Sequence, residues 1–500
     1  MAAVPHHASA HPTVKQELLI VAAILLATLL VRLYGLTTES IWLDEATSIW
    51  LARMSLPDLV RWTAVDIHPP LYYMTLHVWL LIGDGEAQVR LLSVVMGVAG
   101  VATLYLLARR LFNLWVAMAA AALLALSPLH VWYSQETRMY AMLTLLGLLT
   151  SYLMVRALLD NSRPAWIGYA ACAILMLYTH YYALFVLLFQ NVVAAYLAWH
   201  GDIERQALGR WIVMQVVAAL AFLPWLPVMI GQVRSGGGGW VARTGVPSVR
   251  DLAGVASLYT LGPDLAWYAP LLRRAAYAVC GLLVLVGLFS GRRQGHGLSV
   301  GVAFCLLYLV VPVTTSWAVS QAKPLFSQRY LLPFLPPYYI LLANGLDTLR
   351  TSIVRPSAAR WLWAAALAAL LVVGGIGIVG SATHEQQADW RGIATYIVSN
   401  AQPDDVVVFV PGWNWKPFDY YARGRVALEG DTPIPLTATE VPRLVDDAIN
   451  GRTRLWLVQA EGHYADPDNA LRSYLDRTYR RLDSRTLRDN IIVSLYQINP

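Results

Sequence analysis

Three short polar clusters interrupt a chain that is otherwise strongly apolar. They are the segments 42–46, with the acids Asp44 and Glu45, 66–70, with His68, and 133–140, with Glu136, Arg138 and Tyr140. A carboxylate can deprotonate a hydroxyl group, and a guanidinium can bind a phosphate through two donors at once. These residue types therefore predict a site that activates a hydroxyl group close to a bound phosphate.

A fourth polar cluster, the segment 323–330, adds Lys323, Arg329 and Tyr330. A base together with cations at a lipid surface suits a substrate whose phosphate is attached to a lipid. Transfer of a sugar from a polyprenyl phosphate fits this set, because the cations would stabilise the phosphate as it leaves.

The composition indicates a membrane protein. Of the 500 residues, 57% are hydrophobic and 14% are charged, and the mean hydropathy is +0.50, whereas soluble domains carry about 25% charged residues. The net charge of +6 comes from basic residues scattered between apolar runs. This scatter argues against a patch that binds nucleic acid.

About eleven apolar runs approach the roughly 20 residues that a helix needs to cross a bilayer. They are residues 18–36, 88–108, 114–131, 139–158, 165–180, 182–199, 211–231, 275–290, 298–318, 330–346 and 361–380. The run 69–82 is shorter and predicts a helix at the membrane interface. The sequence thus predicts a cytoplasmic tail over 1–17 and an all-α polytopic membrane domain over 18–383.

Basic residues fall in alternate loops, for example at Arg109-Arg110 and at Arg205 and Arg210, which indicates that these loops are cytoplasmic. The polar clusters then lie in outer loops at 37–87, 132–138 and 319–329, and Gly236 to Gly239 belong to a flexible outer loop. From residue 384 onward, strand-like and helical runs alternate. We therefore expect a small extracytoplasmic α/β domain over 384–500 and a plasma-membrane protein whose active face is extracytoplasmic.

The acidic clusters also have simpler structural interpretations. Asp44 and Glu45 could cap an interfacial helix at 45–54, because acids are favoured at a helix N-terminus. Glu136 and Arg138 could form only a local ion pair.

The remaining polar residues have structural alternatives as well. His68 could be a packed, hydrogen-bonded histidine, and Lys323 and Arg329 could be interfacial anchors. The run 178–182, which includes His180, could line a sugar site or belong to the interfacial belt of aromatic residues.

Taken together, the clusters resemble those of bacterial and archaeal membrane glycosyltransferases of the GT-C superfamily, in the protein-mannosyltransferase-like branch (glycosyltransferase family 39). The resemblance covers residues 18–160 best. It is carried by Leu43-Asp44-Glu45, by Val65-Asp66-Ile67-His68-Pro69-Pro70-Leu71, which is similar to the H-P-P-L stretch of protein O-mannosyltransferases, and by Ser134-Gln135-Glu136-Thr137-Arg138-Met139-Tyr140.

The resemblance implies an enzyme that transfers a hexose such as mannose from a polyprenyl-phosphate donor to a glycan, lipid or protein acceptor, with inversion at the anomeric carbon. It implies that Asp44 is the general base, that Glu45 is the adjacent acid of the motif, and that Glu136 organises the acceptor or a divalent metal cation. The residues expected at the substrate are His68, Arg138, Tyr140, Lys323, Arg329 and Tyr330, with Arg138, Lys323 and Arg329 at the donor phosphate.

Two other functions remain open at this point. A transporter or lipid flippase would require ionisable residues deep within the spans, but here the predicted spans are almost free of charge. A non-catalytic scaffold that anchors the outer domain would not depend on Asp44.

Overall fold

The computed structural model describes residues 13–235, 245–289, 298–352, 356–383, 387–430, 432, 434–460 and 465–498. The predicted loop at Gly236 to Gly239 and residues 1–12 of the predicted cytoplasmic tail lie outside these ranges. The chain forms two compact units: unit 1 contains residues 1–34, 56–75 and 90–382, and unit 2 contains 35–55, 76–89 and 383–500. The predicted outer loop 37–87 is therefore divided between the two units.

The α-helices of the described residues are α1 (Val14–Leu33), α2 (Leu43–Ala52), α3 (Leu56–Val65), α4 (Leu71–Trp79), α5 (Glu86–Leu111), α6 (Leu114–Ala125), α7 (Pro128–Ser134), α8 (Tyr140–Asp160), α9 (Arg163–Leu177), α10 (Ala183–Trp199), α11 (Arg205–Phe222), α12 (Leu226–Arg234), α13 (Val249–Leu261), α14 (Pro270–Phe289), α15 (Val300–Val319), α16 (Pro336–Ser352), α17 (Pro356–Thr383), α18 (Trp390–Asn400), α19 (Trp415–Ala422), α20 (Val441–Ala448) and α21 (Ala470–Thr478). The strands are β1 (Asp405–Val410), β2 (Ala427–Glu429), β3 (Arg454–Gln459), β4 (Arg480–Thr486) and β5 (Ile492–Gln497).

The helices of unit 1 confirm the predicted polytopic membrane domain. Among the described residues, seven spans are long and apolar enough to cross a membrane, namely α1, α5, α8, α11 continued by α12, α14, α15 and α17. The predicted spans 165–180 and 182–199 are the shorter apolar helices α9 and α10. The predicted span 330–346 is a 3-10 helix, Gln328–Phe334, followed by α16.

The predicted span 114–131 is two helices, α6 and α7, which meet at an angle of 60°. Ser127 ends the continuous helix because its hydroxyl accepts a hydrogen bond from the backbone N–H of His130 (3.3 Å), and Pro128 occupies the first turn of α7. A serine cap followed by proline is a typical helix start. The bend leaves the short α7 to lead directly into the polar segment 135–139.

The end of α1 is fixed by a buried arginine. The Nη1 atom of Arg32 donates to the carbonyl oxygens of Thr28 and Ala125, both at 3.1 Å, and its Nη2 atom donates to Nδ1 of His130 at 2.6 Å. The imidazole must be the acceptor in this bond, because a guanidinium only donates. Arg32 thus joins α1 to the bend between α6 and α7.

Helices α14 and α16 approach closely through small residues. A Cβ atom added at Gly345 would lie 2.0 Å from the carbonyl oxygen of Leu283, and one added at Gly287 would lie 2.5 Å from that of Leu341. The side chain of Asn344 donates to the Gly287 carbonyl oxygen at 2.8 Å. Small residues and interhelical hydrogen bonds are the usual means by which membrane helices associate.

The C-terminal part of unit 2 is the predicted small α/β domain. Its strands form one sheet in the order β2-β1-β3-β5-β4, with β1 parallel to β2 and β3, and β5 antiparallel to β3 and β4. Every residue of β1 is buried, because Val407 and Phe409 pack into one core and Val406 and Val408 into the other. A continuous apolar run is expected where helices cover both faces of a sheet.

Candidate active site

The two acids nearest the N-terminus lie in the first turn of α2, within unit 2. The N-cap of this helix is Trp42, which makes no side-chain capping bond, and the helix begins at Leu43. The alternative in which these acids cap a helix at 45–54 is therefore wrong. The helix begins two residues earlier, and Asp44 and Glu45 lie in its first turn, after the N-cap. Glu45 is fully buried, whereas Asp44 is half-buried. Their negative charge still suits the N-terminal end of the helix dipole.

In unit 1, the H-P-P-L segment lies against the turn between α9 and α10. The backbone N–H of Leu71 donates to the carbonyl oxygen of Tyr178 at 3.0 Å. This contact places the ring of His68 4.9 Å from the ring of His180, measured between centroids. Both histidines are almost completely buried.

The third cluster is the turn from α7 to α8, also in unit 1. The amide of Gln135 donates to the carbonyl oxygens of Arg32 (3.0 Å) and Tyr34 (2.8 Å), which fixes the start of the turn. The Trp132 indole N–H donates to Oε1 of Glu136 at 2.8 Å. Arg138 is only 5% exposed.

The fourth cluster contributes Tyr330 to the same region of unit 1. The ring of Tyr330 lies 4.8 Å from His180, 5.0 Å from Tyr182 and 6.0 Å from Tyr140. The hydroxyl of Tyr182 donates to the carbonyl oxygen of Leu325 at 2.8 Å, which holds this segment against the turn that carries His180. We call His68, Arg138, Tyr140, His180 and Tyr330 the His180 cluster. The guanidinium of Arg138 lies 5.9 Å from the centroid of the Tyr140 ring.

Both histidines of this cluster are neutral imidazoles. Burial and the positive charge of Arg138 lower the pKa of His180 to about 3. Burial also lowers the pKa of His68 well below its usual range, and the charges of Arg138 and Arg329 act in the same direction. Since Arg138 and Arg329 remain charged, the field around the cluster is positive.

The hydrogen bonds of His180 fix which nitrogen carries its proton. The backbone N–H of Tyr182 donates to Nδ1 of His180 at 3.1 Å, so the proton of the neutral ring is on Nε2. In the part of the chain that the structure describes, neither this Nε2 atom nor the hydroxyl of Tyr140 has a hydrogen-bond partner. Two buried donors in a positive field can therefore receive the oxygens of an anion.

The structure thus brings His68, Arg138, Tyr140 and Tyr330 together, with the charge of Arg329 acting on His68. Lys323 contacts a different element, because its ammonium donates to the Val233 carbonyl oxygen at the end of α12.

Sequence reasoning did not select His180. The signal was present in the run 178–182, but tyrosines beside a histidine at the end of a span are also typical of the aromatic belt. The packing of this turn against the His68 and Tyr330 segments adds His180 to the cluster.

A family model described as dolichyl-phosphate-mannose-protein mannosyltransferase matches residues 67–230. The matched region contains His68, Glu136, Arg138, Tyr140 and His180. No curated protein matches the chain.

Solved structures match over nearly the whole chain. The apo crystal structure of ArnT from Cupriavidus metallidurans is 14% identical, with a TM-score of 0.62, and the match covers 96% of this chain and 97% of that one. The same protein bound to undecaprenyl phosphate is 16% identical, with a TM-score of 0.59 and coverage of 97% and 98%. The oligosaccharyltransferase AglB from Archaeoglobus fulgidus, in complex with an inhibitory peptide and a dolichol-phosphate, is 11% identical, with a TM-score of 0.58 and coverage of 96% and 74%.

The family-model match and the likeness in fold confirm the resemblance to the GT-C class of membrane glycosyltransferases that the sequence predicts. Within that class, the matched family model is that of the mannosyltransferases, whereas the full-length likeness in fold is to ArnT.

Proposed function

We propose that the protein transfers a hexose, such as mannose, from a polyprenyl phosphate to a glycan, lipid or protein acceptor on the extracytoplasmic side of the plasma membrane. The observation that carries this proposal is the His180 cluster, a buried set of donors in a positive field. The likeness in fold to a protein bound to undecaprenyl phosphate and to one in complex with dolichol-phosphate supports a lipid phosphate as the anion.

In this proposal the His180 cluster binds the donor phosphate. Arg138 and Arg329 supply positive charge, and His180 Nε2–H and the Tyr140 hydroxyl donate to phosphate oxygens. Charge-assisted hydrogen bonds of this kind are about twice as strong as neutral ones. They stabilise the phosphate most as it gains charge during departure, which is the requirement for catalysis.

The proposed base is Asp44, the role that the family resemblance implies for it. The carboxylate of Asp44 takes the proton of the acceptor hydroxyl, and the acceptor oxygen forms a bond to the anomeric carbon. The bond from that carbon to the phosphate oxygen breaks, and the polyprenyl phosphate leaves with the electron pair. Attack opposite to the leaving group inverts the anomeric carbon.

Glu136 is proposed to organise the acceptor or a divalent cation, as the family resemblance implies. One AglB structure is described as a complex with zinc and sulfate. Within the described ranges, no group of three His, Cys, Asp or Glu side chains is arranged to hold a metal ion. The proton transfer and phosphate binding proposed above are assigned to groups of the chain itself.

The test is sugar transfer by purified protein in liposomes, with radiolabelled polyprenyl-phosphate mannose and an acceptor extract from the cell envelope. Asp44→Asn removes the base and is expected to lower kcat by about 100-fold or more. The control is Asp58→Asn, which changes an exposed aspartate paired with Arg61 and should leave transfer unchanged. Equal rates in wild type and Asp44→Asn would show that Asp44 is not the base. Absence of transfer from any lipid-linked sugar would contradict the proposed function.

A further inference from the structure

The segment that precedes α2 is bonded to the C-terminal domain, and both belong to unit 2. The hydroxyl of Ser40 donates to the carbonyl oxygen of Ala388 at 2.7 Å and accepts from the backbone N–H of Trp390 at 3.1 Å. The backbone N–H of Ile41 donates to the Tyr421 hydroxyl at 2.7 Å. These bonds end three residues before Asp44.

A carboxylate at the start of α5 completes this connection. Arg391 donates to both oxygens of Glu86, from Nε at 2.9 Å and from Nη2 at 2.7 Å, and its Nη2 atom also donates to the carbonyl oxygen of Thr37 at 2.9 Å. The Tyr421 hydroxyl donates to the same carboxylate. We call these five residues, Thr37, Ile41, Glu86, Arg391 and Tyr421, the Glu86 junction.

The Tyr421 hydroxyl is the central group of the junction, because it accepts from the Ile41 amide while it donates to Glu86. Burial and the hydrogen bond to Glu86 raise the pKa of Tyr421. The hydroxyl therefore keeps its proton over the working pH range, and both bonds persist. Without the Tyr421 hydroxyl, the backbone N–H of Ile41, a fully buried residue, would lose its hydrogen-bond partner. A buried donor without a partner costs free energy of folding.

Helix α2 itself packs against α19 of the same domain. The rings of Trp50 and Trp415 meet edge to face at 5.8 Å, and the ammonium of Lys416 lies 5.0 Å from the Trp50 ring. A helix of ten residues is marginal without such packing. Its position therefore depends on the domain that covers it.

We propose that the C-terminal domain positions α2, with Tyr421 and Arg391 as the positioning residues that hold the first turn, and with it Asp44, in place for proton transfer. This inference rests on the proposed function for its catalytic consequence, but its structural half can be measured without any activity. The domain then sets the rate of transfer even where it does not touch the substrate.

The structural half is tested by hydrogen exchange of the full-length protein in detergent, followed by mass spectrometry. Tyr421→Phe removes one hydroxyl, and we expect the amides of residues 41–52 to exchange about tenfold faster or more. The matched control is Tyr496→Phe, which removes a buried hydroxyl bonded to Asp476 (2.9 Å) within the same domain. Equal exchange of residues 41–52 in both variants would overturn the proposal.

The catalytic half is tested by transfer kinetics on the same variants. We expect Tyr421→Phe to lower kcat by about tenfold with an unchanged KM for the lipid-linked donor. Arg391→Lys keeps the positive charge but loses the bidentate contact with Glu86, so it should lower kcat less than Tyr421→Phe does. In an Asp44→Asn background, Tyr421→Phe should have no further effect on kcat, because the group that it positions is gone.

The outcomes separate this proposal from the proposed function. If residues 41–52 exchange faster but kcat is unchanged, the positioning role is wrong. If Asp44→Asn itself transfers at the wild-type rate, the proposed base is wrong, and the positioning of Asp44 for proton transfer falls with it. The exchange data then still decide whether the Glu86 junction holds α2.

Discussion

At the scale of residues, the His180 cluster combines two properties that favour the binding of an anion such as a phosphate. Its neutral donor at Nε2 of His180 has a fixed position, since the Tyr182 amide occupies the other ring nitrogen. Its positive charge comes from Arg138, with Arg329 acting in the same direction, and arginine stays protonated at any pH that the protein survives. Donation by His180 is therefore independent of pH in the neutral range.

Replacement of His180 should distinguish the effect of its hydrogen-bond donor from the effect of its packing. His180→Phe removes the Nε2–H donor, and a hydrogen bond to a charged group contributes about 1.5–3 kcal/mol. We expect the KM for the lipid-linked donor to rise about tenfold or more, and His180→Gln, which keeps an N–H donor, to be affected less. Steady-state kinetics at varied donor concentration check this. The same rise in His200→Phe, which alters an exposed histidine, would contradict the assignment.

The lowered pKa values of His68 and His180 also predict a dependence of stability on pH. In the unfolded chain a histidine binds a proton below about pH 6.5, whereas folded His180 does so only near pH 3. The contribution of the neutral histidine to the free energy of unfolding is thus fully present above pH 6.5 and is lost as the pH falls from there towards 3.

Thermal unfolding in detergent at pH 7.5 and 5.0 measures this loss. We expect the Tm to fall on acidification, and to fall less in the double variant His68→Asn, His180→Gln. An equal fall in both proteins would show that other groups are responsible.

At the scale of elements, the contact between α14 and α16 depends on glycine. Alanine at position 345 would place a methyl group against the backbone of Leu283, and backbone cannot move aside as a side chain can. Overpacking of this kind costs about 1–3 kcal/mol. We expect Gly345→Ala to lower the Tm.

The control for this prediction lies on the same helix pair. A Cβ atom at Gly281 would meet nothing within 4 Å, so Gly281→Ala should be neutral or slightly stabilising, because alanine favours helix by about 1 kcal/mol. Thermal unfolding of the two variants in one detergent provides the comparison. A loss of Tm in Gly281→Ala as large as that in Gly345→Ala would contradict the close-contact explanation.

The elements that the sequence predicts well are those defined by local pattern. Apolar runs of near-spanning length indicate the membrane helices, and one of the strand-like runs after residue 384, Val406–Val410, lies in β1. The break between α6 and α7 was missed although Ser127 and Pro128 mark it, because apolar residues continue on both sides and hide the cap. The start of α2 at Leu43 was missed because its N-cap, Trp42, makes no capping bond.

At the scale of the whole molecule, the division into two units could not be predicted from the sequence. Segments 35–55 and 76–89 belong with the C-terminal residues, and the bond between Ile41 and Tyr421 joins positions 380 residues apart. A single sequence carries no signal for a partner at that distance. Composition does change near residue 384, but this change says nothing about which earlier segments the domain holds.

The orientation of the whole chain is also open to a direct test. With the basic loops inside, the C-terminus should lie outside the cytoplasm. Alkaline phosphatase fused after Pro500 should therefore be active in a bacterial host, and a fluorescent protein fused at the same point should be dark. The control is the same pair of fusions after Arg110, at the end of α5 that is expected to be cytoplasmic, which should give the opposite result. A fluorescent C-terminal fusion would contradict the proposed extracytoplasmic face.

The edges of the five-stranded sheet have a consequence for how neighbouring copies of the protein meet in a crowded bilayer. One edge is β2, only three residues long, and the other is β4, whose exposed sequence carries Arg480, Arg481, Asp483 and Arg485. Copies of a membrane protein inserted with one orientation diffuse in a single plane, so their C-terminal domains meet side by side. A long uncharged edge would let such collisions extend one sheet into the next. A short edge and a charged edge disfavour such extension of one sheet into the next.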